Sequence, residues 1–240
     1  MIELAPGVFA FGLCTYLPEV KTLIVCDLHL GFEESLSKKG VLVPRFQFRD
    51  IVARLELILS QVPVRRVILN GDVKHEFGTV SRQEWREVRR LVDFFGKKGI
   101  GVVAVKGNHD TIFGPLAKEL AIREVPEFRH KDVLIVHGDE IPTRLAKVIV
   151  MGHEHPAVVI REGAKKEKFK CFVRTKFRSA TVIVQPAFNP LTYGTDIAQG
   201  ELLSPLLVNL RNADVFVVDE ESLRVLPFGK LSLLVEGAGR

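Results

Sequence analysis

Apolar and polar positions follow two regimes along the chain. In the first half, short β-branched runs alternate with stretches of helical period; in the second, strand-like runs follow one another across short turns. Residues 8–11 and 21–26 read as strands joined by a turn at Leu17-Pro18-Glu19. Residues 45–60 put Phe48, Ile51, Val52, Leu55, Ile58 and Leu59 on one broad face, which predicts a helix. A strand is expected at 64–69 and a helix at 81–98. That helix opens with a Ser81/Glu84 capping box and a Val80/Trp85 pair at staple spacing, and Gly99 closes it. The run at 100–105, bounded by glycine, is the central strand, and a weaker helix follows near 115–120. Strands are then expected at 133–136, 147–151, 157–161, 168–176, 180–185, 214–218 and 222–227. The pattern predicts an α/β fold, a two-sheet β-sandwich flanked by helices, as a single domain over residues 1–240. Residues 27–155 carry the polar motifs, and 156–240 are a strand-rich completion of the second sheet.

Five of the predicted strands end in polar side chains. They are Asp27 and His29; Asp72 and His75; Asn108, His109 and Asp110; His137; and His153 and His155. Ligands gather at the C-terminal ends of strands in open α/β sheets. Asp27 and His29, two apart at a strand end, should point to the same side by the pleat. Read alone, the pair also fits a hydrogen-bonded aspartate capping the next helix, and Gly107-Asn108-His109-Asp110 alone fits a hydrated turn. The histidine distribution separates these readings. Of seven histidines, six stand at strand ends, and His130 lies in the charged stretch 128–132. Two metal ions a few ångströms apart can hold a phosphate ester, lower the pKa of a shared water and stabilise both attacking and leaving oxygens. Mixed His, Asp and Asn donors suit Mn, Fe, Zn, Co or Ni better than Ca or Mg. The set exceeds what one closed structural zinc site needs.

Composition adds limits. Hydrophobic residues make up 47%, enough for a sizeable core, and no apolar run is long enough to cross a bilayer. The N-terminal residues lack the pattern of a signal peptide, and Cys14, Cys26 and Cys171 follow no Cys-x-x-Cys spacing. Reduced thiols packed in strands, and a soluble cytoplasmic protein, are expected. A net charge of +5 and a pI near 9.2 permit an anionic partner without requiring one. Nothing in the sequence specifies an oligomeric state.

Asp-x-His, Gly-Asp-x-x-His, Gly-Asn-His-Asp, a strand-end His-Gly and Gly-His-x-His occur here in that order. The ordered set resembles the calcineurin-like metallophosphoesterase superfamily, and the stretch 26–31 resembles its SbcD-related archaeal and ligase-associated phosphoesterases. The resemblance implies the αββα fold and two divalent metal ions, with Mn2+ favoured and Ni2+, Co2+, Zn2+ or Fe as alternatives. It implies that Asp27, His29 and His155 hold one ion, that Asn108, His137 and His153 hold the other, and that Asp72 bridges them. A hydroxide shared by the ions would attack phosphorus in line with the leaving oxygen. His109 would stabilise the phosphoryl charge or protonate the leaving group, Asp110 would orient His109, and His75 would face the substrate.

The activity expected is phosphodiester hydrolysis, with nucleic acid as a candidate substrate. Phosphomonoester or nucleotide phosphatase activity is the alternative, and a non-catalytic interaction module of the same fold ranks below both because every expected ligand is present. Glu76 occupies the place where phosphatases of the superfamily carry the arginine that grips a monoester, and an inward-pointing Glu76 would repel a dianion. Basic and apolar residues alternate over 163–178. That row reads either as a nucleic-acid contact through 165–178 or as an edge strand protected by lysines. The repair nucleases of the superfamily add a DNA-binding region and a motif for an ATPase partner, neither of which is legible in 156–240. The turn-rich stretch 185–194 resembles the Pro-Ala-Phe segment of the ligase-associated group and receives no role.

Overall fold

A computed structural model describes residues 1–162, 165–199 and 201–233. The first sheet has seven strands in sequential order: β1 (Ile2–Ala5), β2 (Val8–Phe11), β3 (Cys14–Leu17), β4 (Thr22–Cys26), β5 (Arg66–Asn70), β6 (Gly101–Val105) and β7 (Arg123–Val125). β1 to β4 run antiparallel and β4 to β7 parallel. The β3 strand lies where a connection was expected. A turn at Gly12-Leu13 reverses the chain into it, and a 3-10 turn at Pro18–Val20 leads on to β4. Its four residues are all buried, so they carry no alternation by which to recognise them.

Among the described residues, four named helices accompany this sheet: α1 (Phe32–Lys38), α2 (Gln47–Gln61), α3 (Arg82–Lys97) and α4 (Gly114–Glu119). The buried positions of α2 (Phe48, Ile51, Leu55 and Ile58) and of α3 (Val88, Leu91 and Phe95) join one apolar cluster with the parallel strands. The capping box forms as expected. Ser81 Oγ accepts from the amide of Glu84, and the Glu84 carboxylate accepts from the amide of Ser81. The short α1 was not anticipated, since its seven residues show no apolar period.

The second sheet holds nine strands: β8 (Phe128–His130), β9 (Val133–Ile135), β10 (Val148–Met151), β11 (Pro156–Glu162), β12 (Lys165–Phe177), β13 (Ala180–Val184), β14 (Thr195–Asp196), β15 (Asp214–Asp219) and β16 (Arg224–Lys230). Alternate side chains serve opposite faces, as the pleat demands. Ile135, Val148, Val150, Phe172, Ile183, Phe216 and Val218 belong to the cluster shared with the first sheet. Leu134, Val136, Ile149, Met151, Val173, Val182 and Val184 form a second cluster with Ile197, Leu206, Leu207 and Leu210. The result is a mixed α/β fold of two sheets flanked by helices. The three cysteines are buried, unpaired and in strands.

β12 is an edge strand in part only. Among the described residues, 165–170 pair with β11 alone, whereas 171–177 pair with β15 or β13. Its basic row is broken: Lys165, Lys166, Lys168 and Lys176 are exposed, whereas Lys170 is buried. The Lys170 ammonium donates to the carbonyls of Ala187 and Asn189, and burial lowers its pKa to about 8. Arg174 pairs with Asp214. Gly163 and Ala164, the start of that stretch, lie outside the described residues. No helix among the described residues is long and apolar enough to cross a membrane.

Candidate metal centre

Five strand ends, three from the first sheet and two from the second, bring the candidate residues together. Asp27 and His29 follow β4, Asp72 and His75 follow β5, Asn108, His109 and Asp110 follow β6, His137 follows β9, and His153 and His155 follow β10. The pleat does not do this, contrary to expectation. β4 ends at Cys26, and the residues beyond it leave the extended conformation. Asp27 (φ 54°), His29 (φ 44°), Asp72 (φ 48°), His153 (φ 66°) and His155 (φ 49°) all occupy the left-handed region. A non-glycine residue held there costs roughly 1–3 kcal/mol, a strain that tends to collect at functional sites. Five of the seven residues expected to ligate metal are held this way.

The side chains fall into two groups around one carboxylate. In the first, Nε2 of His29 lies 3.3 Å from Nε2 of His155, which lies 3.4 Å from Oδ1 of Asp27. In the second, Nε2 of His137 lies 2.9 Å from Oδ1 of Asn108 and 3.1 Å from Nδ1 of His153. Asp72 reaches both: its Oδ2 is 3.6 Å from His29 and its Oδ1 is 3.4 Å from His137. Asp27, His29, Asp72 and His155 could hold a metal ion through donor atoms that all lie within 4.8 Å of one another. A cavity of about 750 Å³ adjoins the second group and is lined by Lys106, Asn108, Thr111, Glu127, His137 and Ile141.

The electrostatics fit a cation. Burial lowers the pKa of His137 to about 4 and that of His29 well below its ordinary value, so both rings are neutral with a lone pair to offer. Burial works upward on Asp27, but His155, His137 and His29 hold it below the usual carboxylate range. Burial, reinforced by the charge on Asp27, pushes Asp72 up. Two buried carboxylates and the imidazoles gathered around them form the kind of donor set a divalent ion neutralises.

The surrounding contacts fix these positions. His153 donates its amide to Asp27, and His109 donates its amide to Oδ1 of Asp72. Nδ1 of His109 donates to the carbonyl of His75 at 2.5 Å; a carbonyl only accepts, so this bond turns Nε2 toward Asp72 Oδ2, 3.8 Å away. Asp110 was expected to orient the His109 ring, and it does something else. Its buried carboxylate accepts from the amides of Val73, Lys74 and Gly107, which fastens the β5 turn to the β6 turn. Burial raises its pKa to about 6. The His75 ring packs on Phe32 (centroids 4.3 Å apart) and lies 5.4 Å from His29, at the margin of the site.

Several supporting residues were not anticipated. Buried Lys74 gives its ammonium to the carbonyls of Glu76 and His109. Glu84, already part of the capping box, also accepts from the amides of His75 and Glu76. Gln47 donates to the carbonyls of Leu28 and His29 and to Oδ1 of Asn189. The stretch 185–194 thereby acquires a role. Phe188 and Asn189 donate their amides to Cys26 and Asp27, and Gln185 bonds Leu13 and Ile24 of the first sheet. No local pattern marks such residues; their signal is a polar side chain whose burial appears only once the sheets are assembled.

Gly71 shows how tightly the turns are fitted. Its φ is +75°, and a Cβ there would lie 2.0 Å from Nδ1 of His137. Gly71→Ala should therefore cost at least about 2 kcal/mol, since it adds left-handed strain to a clash with a buried ring. Urea unfolding checks this, and a loss below about 0.5 kcal/mol, the scale of an ordinary surface change, would mean that the turn accommodates a side chain.

Comparison with known proteins agrees with this architecture. No curated protein matches the chain. The solved structure of Pseudomonas putida nuclease MPE superposes with a TM-score of 0.65 at 22% identity, covering 90% of this chain and 91% of that one. The E. coli phosphoesterase Yfce aligns at a TM-score of 0.41 and 16% identity, over 85% of this chain and 95% of its own, and at that level it carries no argument. The family profile for calcineurin-like phosphoesterases matches residues 20–216. That span takes in all five strand ends and their polar residues, and the chain therefore belongs to the calcineurin-like phosphoesterase family.

Proposed function

We propose that the protein is a binuclear-metal phosphodiesterase. The observation that carries this reading is the place of Asp72, whose two carboxylate oxygens face the two histidine groups separately. In this reading Asp27, His29 and His155 hold one ion, Asn108, His137 and His153 hold the other, and Asp72 is common to both. Nitrogen and oxygen donors in this mixture suit Mn, Fe, Zn, Co or Ni, and the resemblance to the superfamily is what favours Mn2+ among them. Bound there, two such ions activate water and neutralise charge on the phosphoryl oxygens. The chain's own contribution is orientation and a proton. His109, aimed by the carbonyl of His75 through Nδ1–H, presents Nε2 toward the space beside Asp72, where as the imidazolium it would give its Nε2 proton to a leaving oxygen and return to the neutral ring.

The preference for a diester has a local basis. A monoester dianion is commonly held by a guanidinium or ammonium aimed at its oxygens. Lys74 binds backbone carbonyls instead. Glu76 contributes little repulsion of a dianion, because it lies 3.8 Å from the Lys38 ammonium, which offsets its charge. The test is a matrix of Mn, Ni, Co, Zn and Mg against a chromogenic phosphodiester and its matched monoester. Faster turnover of the diester, highest with Mn, is expected; a consistent preference for the monoester would overturn the diesterase reading.

Cation binding also bears on stability. An ion that binds only the folded chain at a hundred times its Kd contributes about 2.7 kcal/mol. Stripping the protein with a chelator should lower Tm by roughly 5–10 °C for a chain of this size. Calorimetry of stripped and Mn-reloaded protein checks this, and coincident melting curves would deny the cluster any cation.

A further inference from the structure

We infer that Phe77 is a stacking platform for an unpaired nucleobase next to the scissile phosphate, so that the diester substrate is a nucleotide chain with accessible bases. This deepens the phosphodiesterase reading and rests on it. The Phe77 ring packs on the ring of His109, with centroids 3.6 Å apart and planes tilted by 34°. The residue is nevertheless 58% exposed. One side of the ring is thus taken by the residue that serves the leaving group, and the remainder is offered to solvent. Leaving a large apolar ring in water forgoes its burial free energy, and an exposed aromatic beside a reaction centre is a common mark of a binding surface.

The segment that carries the ring is fixed. Glu84 accepts the amides of His75 and Glu76, and Lys74 bonds the carbonyl of Glu76 from below. Phe77 therefore follows a turn already pinned before any substrate arrives, which lowers the ordering cost of stacking against it. A flat π-system is the natural partner for such a ring, and base–aromatic stacking tolerates any base. A second exposed aromatic, Tyr193 (77% exposed), stands beside Gly194, whose backbone lies against the carbonyl of His155. The His155 ring lies 5.1 Å from that of His29, which lies 4.9 Å from that of His109. An exposed ring stacked on His109 suits a substrate that carries bases and is of no use to an aliphatic diester.

The test compares thymidylyl-thymidine with a base-less analogue in which two tetrahydrofuran sugars share the same phosphodiester. Each is assayed with Mn-loaded wild type, Phe77→Ala, Phe77→Leu and Phe77→Trp. Phe77→Leu keeps an apolar cover on His109 without the π-face. For thymidylyl-thymidine, Phe77→Ala and Phe77→Leu should raise KM about tenfold with kcat little changed, and Phe77→Trp should stay near wild type. The base-less analogue should respond to none of the three. A second readout needs no turnover: a dinucleotide carrying 2-aminopurine should lose fluorescence on wild type and not on Phe77→Ala. An equal loss on both substrates would make Phe77 a support for His109 alone, and no loss on either would remove it from the site; both results overturn the inference. If wild type cleaves neither compound, the diesterase reading fails, and the 2-aminopurine signal then decides for or against Phe77 by itself.

Discussion

Asp72→Asn should leave the metal-free fold intact and remove nearly all turnover. The backbone there is left-handed at φ 48°, a conformation asparagine accepts readily. The amide of His109 keeps an acceptor, because asparagine retains Oδ1. What disappears is the negative charge between the two histidine groups. Metal stabilisation of a reacting phosphoryl group is worth several kcal/mol, so losing an ion should lower kcat by about a thousandfold or more. The stability change runs in the opposite direction. Burial and the charge on Asp27 already push the Asp72 carboxyl up, so a neutral amide relieves a like-charge contact when no cation is present. Stripped Asp72→Asn should therefore melt at or above stripped wild type while losing most of the Mn-induced rise. Elemental analysis, calorimetry and diester turnover on one preparation check all three. Full metal occupancy together with unchanged kcat would show that Asp72 is not the shared ligand.

His109→Ala should show the reverse combination, with cations retained and chemistry impaired. The ring faces Asp72 from 3.8 Å and is steered by its bond to His75; its donor atoms lie close to those of His29 and His75, but it is not one of the seven proposed ligands. Proton transfer by a positioned side chain contributes about 10²–10⁴ in rate. The loss should depend on the leaving group. A nitrophenolate departs without a proton, so a nitrophenyl diester should suffer least; an alkoxide needs one, so a dinucleotide should fall by the full factor. Equal losses on the two substrates would assign His109 to charge stabilisation, and a wild-type rate on both would remove it from the reaction.

The sequence exposes the ligand-bearing strands because each combines a β-branched run with an abrupt polar end, and because histidine is used almost nowhere else. Parallel β4, β5 and β6 are buried on both sides, which yields the continuous apolar runs by which they are recognised. β3, α1, β7 and β8 are legible only in three dimensions, since elements of three to seven residues give too few positions to show a period. The same holds within the site. Asp110 and His109 are adjacent in the chain, which suggests that one braces the other, yet the turn points the carboxylate at Val73 and Lys74 and leaves the ring to His75. Lys170 reads as one member of a basic row because its burial depends on carbonyls far along the chain, at Ala187 and Asn189. Local pattern thus identifies which residues gather, and long-range hydrogen bonds decide what each of them does.

The division of ligands between the sheets has a consequence for how the protein matures. Residues up to 125 build the first sheet and supply Asp27, His29, Asp72 and Asn108; the strands from 128 onward build the second and supply His137, His153 and His155. Chains fold from the N-terminus as they leave the ribosome. The earlier half emerges with a donor set that is oxygen-rich and incomplete, and the imidazoles that complete both groups arrive last. On the proposed ligand assignment, residues of both sheets would have to be in place before a cation could be held, so loading it would be a closing step of biosynthesis.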